Sequence, residues 1–198
     1  MPDQPTDEVL AEQTQKGDKR AFNELFARYK AKILRYGQRF LYNYQDLEDA
    51  VQDVFIKAYA NIRSFDTQRS FSTWLYRIAH NTFINVIKKK GREPVSFFDF
   101  DTFFQLPNTS KHNPKTDLIA TQEREVLQKV MLELAPKYRE PLVLYYFEEK
   151  EYQEIADIMH IPISTVGVRL KRARDHMKKY LLSTPQYDSA TTITTTNK

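Results

Sequence analysis

At 198 residues, with 41% apolar side chains and a formal net charge of +4, the chain is long enough to bury one medium core or two small ones. It contains no cysteine, which excludes disulfides, zinc-thiolate sites and thiol chemistry within it. No apolar run approaches the length of a bilayer span, and the start, MPDQPTDEVL, lacks both a basic segment and an apolar core, so a cytoplasmic protein without membrane insertion is expected.

From Asp7 to Lys90 apolar residues recur at steps of three and four, with few Gly or Pro to interrupt them, and the segment reads as a series of helices. Phe22, Leu25, Phe26, Tyr29, Ile33 and Leu34 form one buried stripe. Leu47, Ala50, Val51, Val54, Phe55, Ala58, Tyr59 and Ile62 form a second, which leaves Glu48, Asp49, Gln52, Asp53 and Ile56 on the opposite side. The period breaks over Arg63 to Ser70, which reads as a loop. Ser70 or Ser72 can cap the next helix, which runs to about Lys90.

On that helix Phe71, Leu75, Ala79, Phe83 and Val86 share one side, while Trp74, Arg77, Asn81, Asn85 and Lys88 make a ridge on another. A flat aromatic, edge-reading amides and cations in one line suit single-stranded DNA, with each stacked base contributing roughly 1–3 kcal/mol. Seen alone, such a helix is better read with Trp74 at the core boundary and the cations solvated; the features around it decide otherwise.

Between Gly91 and Asp117 the period disappears among Pro94, Pro107 and Pro114, the mark of an extended linker. Its middle, Phe97 to Phe104, mixes phenylalanines with Asp99 and Asp101. Helical spacing resumes at Leu118 and continues to about Leu182, before a Thr-rich tail expected to be disordered. Within this stretch a small apolar helix, Tyr152 to Met159, is followed by a tight turn, His160 to Ile163. A helix signalled by Ser164, Thr165 and Val166 then carries Arg169, Lys171, Arg172 and Arg174. Two short helices, the second basic, read as a helix-turn-helix whose second member enters a DNA major groove.

An acidic helix, DLEDAVQDVFIKAY, the loop FDTQRSF, the helix STWLYRIAHNTFINVIKKK, a non-periodic linker and a terminal helix-turn-helix closely resemble, in that order, the sigma-70 family. The likeness is to its small two-domain, extracytoplasmic-function (ECF) type and spans roughly Glu8 to Leu182, carried by FSTWLYRIAHN and YQEIADIMHIPISTVGVRLKRAR.

The resemblance implies an all-α fold of two small domains, a sigma-2-like bundle over residues 8–92 and a sigma-4-like helix-turn-helix over 118–182. Residues 93–117 would join them, with a flexible start at 1–7 and a tail at 183–198. It implies core RNA polymerase as partner, through the beta-prime coiled coil and the beta flap, with Asp49, Gln52 and Asp53 on the coiled-coil face. It places Phe65, Ser70, Phe71, Trp74, Arg77, Asn81 and Lys88 at the unpaired minus-ten element of promoter DNA. It places Val168, Lys171 and Arg172 at bases of the minus-thirty-five element, and Ser164, Thr165, Arg169 and Arg174 beside them, Ser164, Arg169 and Arg174 on phosphates. Gly167 stands where relatives often carry a long polar or basic side chain, which removes one possible DNA contact. An anti-sigma factor is the expected regulator, and no catalytic group, metal or cofactor is expected.

Two other readings bear on the same residues. A helix-turn-helix regulator that binds duplex DNA without polymerase would need a dimer seam and leaves the N-terminal helices without a role. An enzyme would have to use His80, His112, His160 or His176, which lie singly in unrelated segments without HExxH, a Gly-rich phosphate loop or a nucleophile elbow.

Overall fold

The computed structural model describes residues 4–38, 41, 43–90, 130–131 and 133–183. The expected linker with its phenylalanines, the segment 118–129 and the Thr-rich tail lie outside the described residues. All regular structure among the described residues is helical: α1 (Asp7–Gln15), α2 (Lys19–Gly37), α3 (Tyr44–Asn61), α4 (Phe71–Lys90), α5 (Pro136–Tyr146), α6 (Tyr152–Met159) and α7 (Ile163–Ser183), with a single 3-10 turn at Ile62–Ser64. No helix among them is long and apolar enough to cross a membrane.

The helix starts follow local chemistry. Thr6 accepts the Val9 N–H ahead of α1, Asp18 accepts from Arg20 and Ala21 ahead of α2, and Asn43 accepts from Asp46 ahead of α3. Pro136 opens α5, where its missing N–H costs nothing. Glu151 and Glu154 make a reciprocal capping box on α6. That helix ends at His160 in the left-handed region (φ 52°), with the Ile161 N–H closing onto the Ala156 carbonyl at 3.1 Å. The last helix begins at Ile163, directly after Pro162 and one residue before the Ser-Thr-Val signal.

The described residues divide into two compact units, one within Met1–Phe98 and Lys150–Pro162, the other within Asp99–Glu149 and Ile163–Lys198. In the first, α1 packs on α2, α2 on α3, α3 on α4, and α6 on α4. Its core takes Leu25, Tyr29, Ile33 and Tyr36 from α2, Leu47, Val51 and Val54 from α3, and Phe71, Leu75, Ala79 and Phe83 from α4. Tyr59, expected in the α3 stripe, is 44% exposed and meets Phe22 edge-on at the surface. In the second unit α5 packs on α7, burying Leu142, Val143 and Leu144 with Val166, Leu170 and Ala173. The α6 segment thus lies in the first unit, although helical spacing in the sequence runs on from Leu118 to Leu182.

Candidate nucleic-acid and polymerase interfaces

The loop ahead of α4 is held by residues far from it in sequence. Gln15 Nε2 donates to the carbonyls of Ile62 and Phe65, both at 2.8 Å, and Glu8 Oε1 accepts the Phe71 N–H at 3.1 Å. Ser70 caps α4 by accepting the Thr73 N–H at 3.2 Å. Asp66 turns the loop by accepting the Gln68 N–H, and the Arg69 N–H returns to the Asp66 carbonyl. The α1 contacts rest on Asp7, which pairs with the Tyr29 hydroxyl and with Arg28 at 2.8 Å. Burial first, and then the Asp7 carboxylate, push the Tyr29 hydroxyl well above the usual tyrosine range.

The ridge on α4 is laid out as its spacing predicts. Trp74 and Arg77 are half-buried, and Asn81, Asn85 and Lys88 are exposed. Two other residues expected to meet the minus-ten strand need correcting in position: Phe65 and Phe71 are 5% and 1% exposed, inside the unit. Both are rigid apolar rings beside the core, and burial removes them from water. Phe65 lies 5.1 Å and Phe71 5.7 Å from the Trp74 ring, and Phe65 meets Phe71 edge-on at 5.6 Å. Both rings pack against the indole of Trp74.

An open cleft of about 960 Å³ runs beside Phe65, Ser70 and Trp74. At its α6 side Lys150, 8% exposed, donates to the Ser72 hydroxyl at 2.7 Å, pairs with Glu154 at 3.2 Å and lies 5.4 Å from the centre of the Tyr76 ring. The Thr73 hydroxyl donates to the same Glu154 carboxylate. Burial, the largest single influence, pushes the Glu154 carboxyl up, but Thr73, the Glu151 N–H and Lys150 together outweigh it and leave it below the usual glutamate range. None of these α6 partners was legible in sequence, because the residues that meet lie 78 and 81 positions apart.

On α3, Asp49 and Gln52 are exposed, whereas Asp53 is half-buried and bonded to Lys57 at 2.6 Å. Lys57 also reaches the Thr82 hydroxyl of α4 at 3.3 Å. Beside these acids Ile56 is 65% exposed, an apolar centre in an acidic face. In the second unit Ser164, Val168, Lys171, Arg172 and Arg174 are exposed along α7, with Thr165 and Arg169 half-buried. Arg172 donates to the Tyr138 hydroxyl of α5 at 3.3 Å, and this contact lowers the hydroxyl's pKa. Tyr138 carried no sequence signal for that role.

Among the described residues no three His, Asp or Glu side chains are grouped to hold a metal. Residues 25–93 match the family model for Sigma-70 region 2, and residues 124–177 that for Sigma-70, region 4. The chain is 38% identical over 176 residues to the ECF RNA polymerase sigma factor SigW of Bacillus subtilis (strain 168), a match covering 85% of this chain and 93% of that protein. It is also 38% identical over 181 residues to the ECF RNA polymerase sigma-E factor of Escherichia coli (strain K12), covering 88% and 94%. Among solved structures it is similar to CnrH in complex with the cytosolic domain of CnrY, with a TM-score of 0.66, 25% identity and coverage of 90% of this chain and 98% of that one. With region 2 spanning the braced ridge of α4 and region 4 spanning the basic helix α7, the chain belongs to the sigma-70 family and is an ECF-type sigma factor, a transcription initiation factor.

Proposed function

We propose that the α3 face of Asp49, Gln52, Ile56 and Asp53 docks on the basic beta-prime coiled coil of core RNA polymerase, with the beta flap as a second polymerase contact. The loop after Phe65 and the ridge of α4 then take the unpaired minus-ten strand. The observation that carries this reading is the indole of Trp74, half-buried and backed by Phe65 and Phe71 at the head of a ridge that continues through Arg77, Asn81 and Lys88. A ring fixed from behind loses little freedom when a base stacks on its outer face. Capturing an unstacked base offsets the few kcal/mol needed to extrude it, so binding energy opens the duplex without ATP.

At the other end of the promoter, α7 reads the minus-thirty-five element, with Val168, Lys171 and Arg172 toward base edges and Ser164, Arg169 and Arg174 on phosphates. The similarity to CnrH, solved with the cytosolic domain of CnrY, supports a protein partner that sequesters this chain as an anti-sigma factor does. No step requires a catalytic side chain or a cofactor, and action on promoters places the protein in the cytoplasm.

The test is co-purification with core RNA polymerase followed by run-off transcription on a promoter library. Association with promoter-dependent initiation is expected, and Asn81→Ala is expected to keep the association while lowering open-complex formation. Duplex binding without polymerase association would move the assignment to a stand-alone helix-turn-helix regulator.

A further inference from the structure

We propose that α1 is a splint for the loop ahead of α4, and that Glu8 and Gln15 are positioning residues which set how selectively that loop reads the minus-ten strand. The proposal rests on the assignment of the loop and the α4 ridge to single-stranded DNA. Both residues precede the stretch 25–93 matched by the region 2 family model. They stand two turns apart in α1, so they leave one face of it with about 10 Å of helix axis between them. Gln15 Nε2 donates to the carbonyls of Ile62 and Phe65, both at 2.8 Å, where the chain passes out of α3 through its 3-10 turn. Glu8 Oε1 accepts the Phe71 N–H at 3.1 Å, where the chain enters α4. One helix thus holds both ends of the loop.

The splint is itself anchored. Leu10, Ala11 and Thr14 are buried, and Asp7 pairs with Arg28 and accepts the Tyr29 hydroxyl of α2. Tyr29 in turn meets Phe71 edge-on at 5.6 Å, so α2 backs the end of the loop that Glu8 holds. The Phe71 N–H belongs to the first turn of α4, where no intrahelical carbonyl can accept it, and a carboxylate there also complements the helix dipole.

Between the two grips the bonding is local. Asp66 accepts the N–H groups of Gln68 and Arg69, and Ser70 accepts that of Thr73. Such bonds shape the tip of the loop, whereas the grips of α1 fix where the tip stands. Asp66, Gln68, Arg69 and Ser70 are exposed there. A base that fits makes its hydrogen bonds only when those groups are in place, and a base that fits poorly has few bonds to lose. Displacing the loop therefore weakens the preferred base more than its competitors, and selectivity falls. A loss of stability that leaves the loop in place lowers binding of both alike.

The test assembles the full chain with core RNA polymerase and measures run-off transcription from the library's preferred promoter and from its single-base variants across the minus-ten element. The ratio between them is the readout. The unaltered chain is compared with Glu8→Ala, Glu8→Gln, Gln15→Glu, Gly37→Ala and Trp74→Ala, each checked for folding by circular dichroism. Glu8→Gln keeps an acceptor oxygen for Phe71, whereas Gln15→Glu keeps the side-chain shape and removes both donors. Gly37→Ala crowds Leu47 and Phe83 instead, and controls for destabilisation alone. Glu8→Ala and Gln15→Glu are expected to lower the ratio on the order of fivefold, as for the loss of about one hydrogen bond. Glu8→Gln and Gly37→Ala are expected to keep it. A ratio unmoved by Glu8→Ala and Gln15→Glu, or moved equally by Gly37→Ala, overturns the splint and leaves the DNA surface standing. Where Gln15→Glu does not fold, Glu8→Ala against Glu8→Gln decides alone. Absence of promoter-dependent initiation, or initiation indifferent to Trp74→Ala, overturns the DNA surface itself, and the splint with it.

Discussion

Gly37 ends α2 where a Cβ would stand 2.6 Å from Leu47 Cδ1 and 2.8 Å from Phe83 Cζ. Leu47 can shift its side-chain end, but the Phe83 ring is fully buried and has nowhere to go. Overpacking therefore outweighs the helix propensity gained, and Gly37→Ala is expected to cost about 1–2 kcal/mol, read as a lower urea midpoint with unchanged slope. Gln15 sets a different kind of constraint, because its one amide supplies donors to two loop carbonyls. Gln15→Ala is expected to lower stability by about 1–2 kcal/mol and to weaken single-stranded DNA binding, while co-purification with polymerase is unchanged. Sequence spacing grouped Trp74, Arg77, Asn81 and Lys88 as candidates because they share one face of one helix. It could not show the depth of Phe65 and Phe71, nor find Gln15 and Glu8, whose partners lie 47 to 63 residues away.

Among elements, α7 is expected to separate affinity from specificity. Arg172 is exposed and poised by Tyr138, whereas Arg169 is half-buried at the edge of the same helix. Arg172→Ala is expected to cost about 1–3 kcal/mol on the preferred duplex and to relax selectivity at one base pair. Arg169→Ala is expected to weaken all duplexes alike and to reduce the salt slope by about 1, both read from binding isotherms at several ionic strengths. The extent of α6, Tyr152–Met159, was readable in advance, because four of its eight residues are buried apolar positions and a turn follows at once. What it packs against was not. Its apolar face would fit any partner of similar shape, and the choice of α4 rests on Lys150 and Glu154 finding Ser72 and Thr73 across the fold.

At the scale of the whole molecule, the proposed polymerase and DNA surfaces occupy different helices and are expected to be separable by mutation. Replacing Asp49 and Gln52 together by Ala, both exposed, is expected to weaken co-purification with polymerase while moving stability by no more than about 0.5 kcal/mol per site. Asp53 is less suitable for that experiment, because its bond to Lys57 links α3 to Thr82 of α4. Both proposed surfaces rest on patterns of charge and period in the sequence, whereas the grouping of α6 with the first unit depends on contacts that no local pattern encodes. The indole braced by Phe65 and Phe71 has a further use. It is the sole tryptophan among 12 tyrosines and 13 phenylalanines, so red-edge excitation addresses that single ring. A nucleobase stacking on it would quench the emission, giving the unlabelled protein its own optical reporter of strand capture during promoter opening.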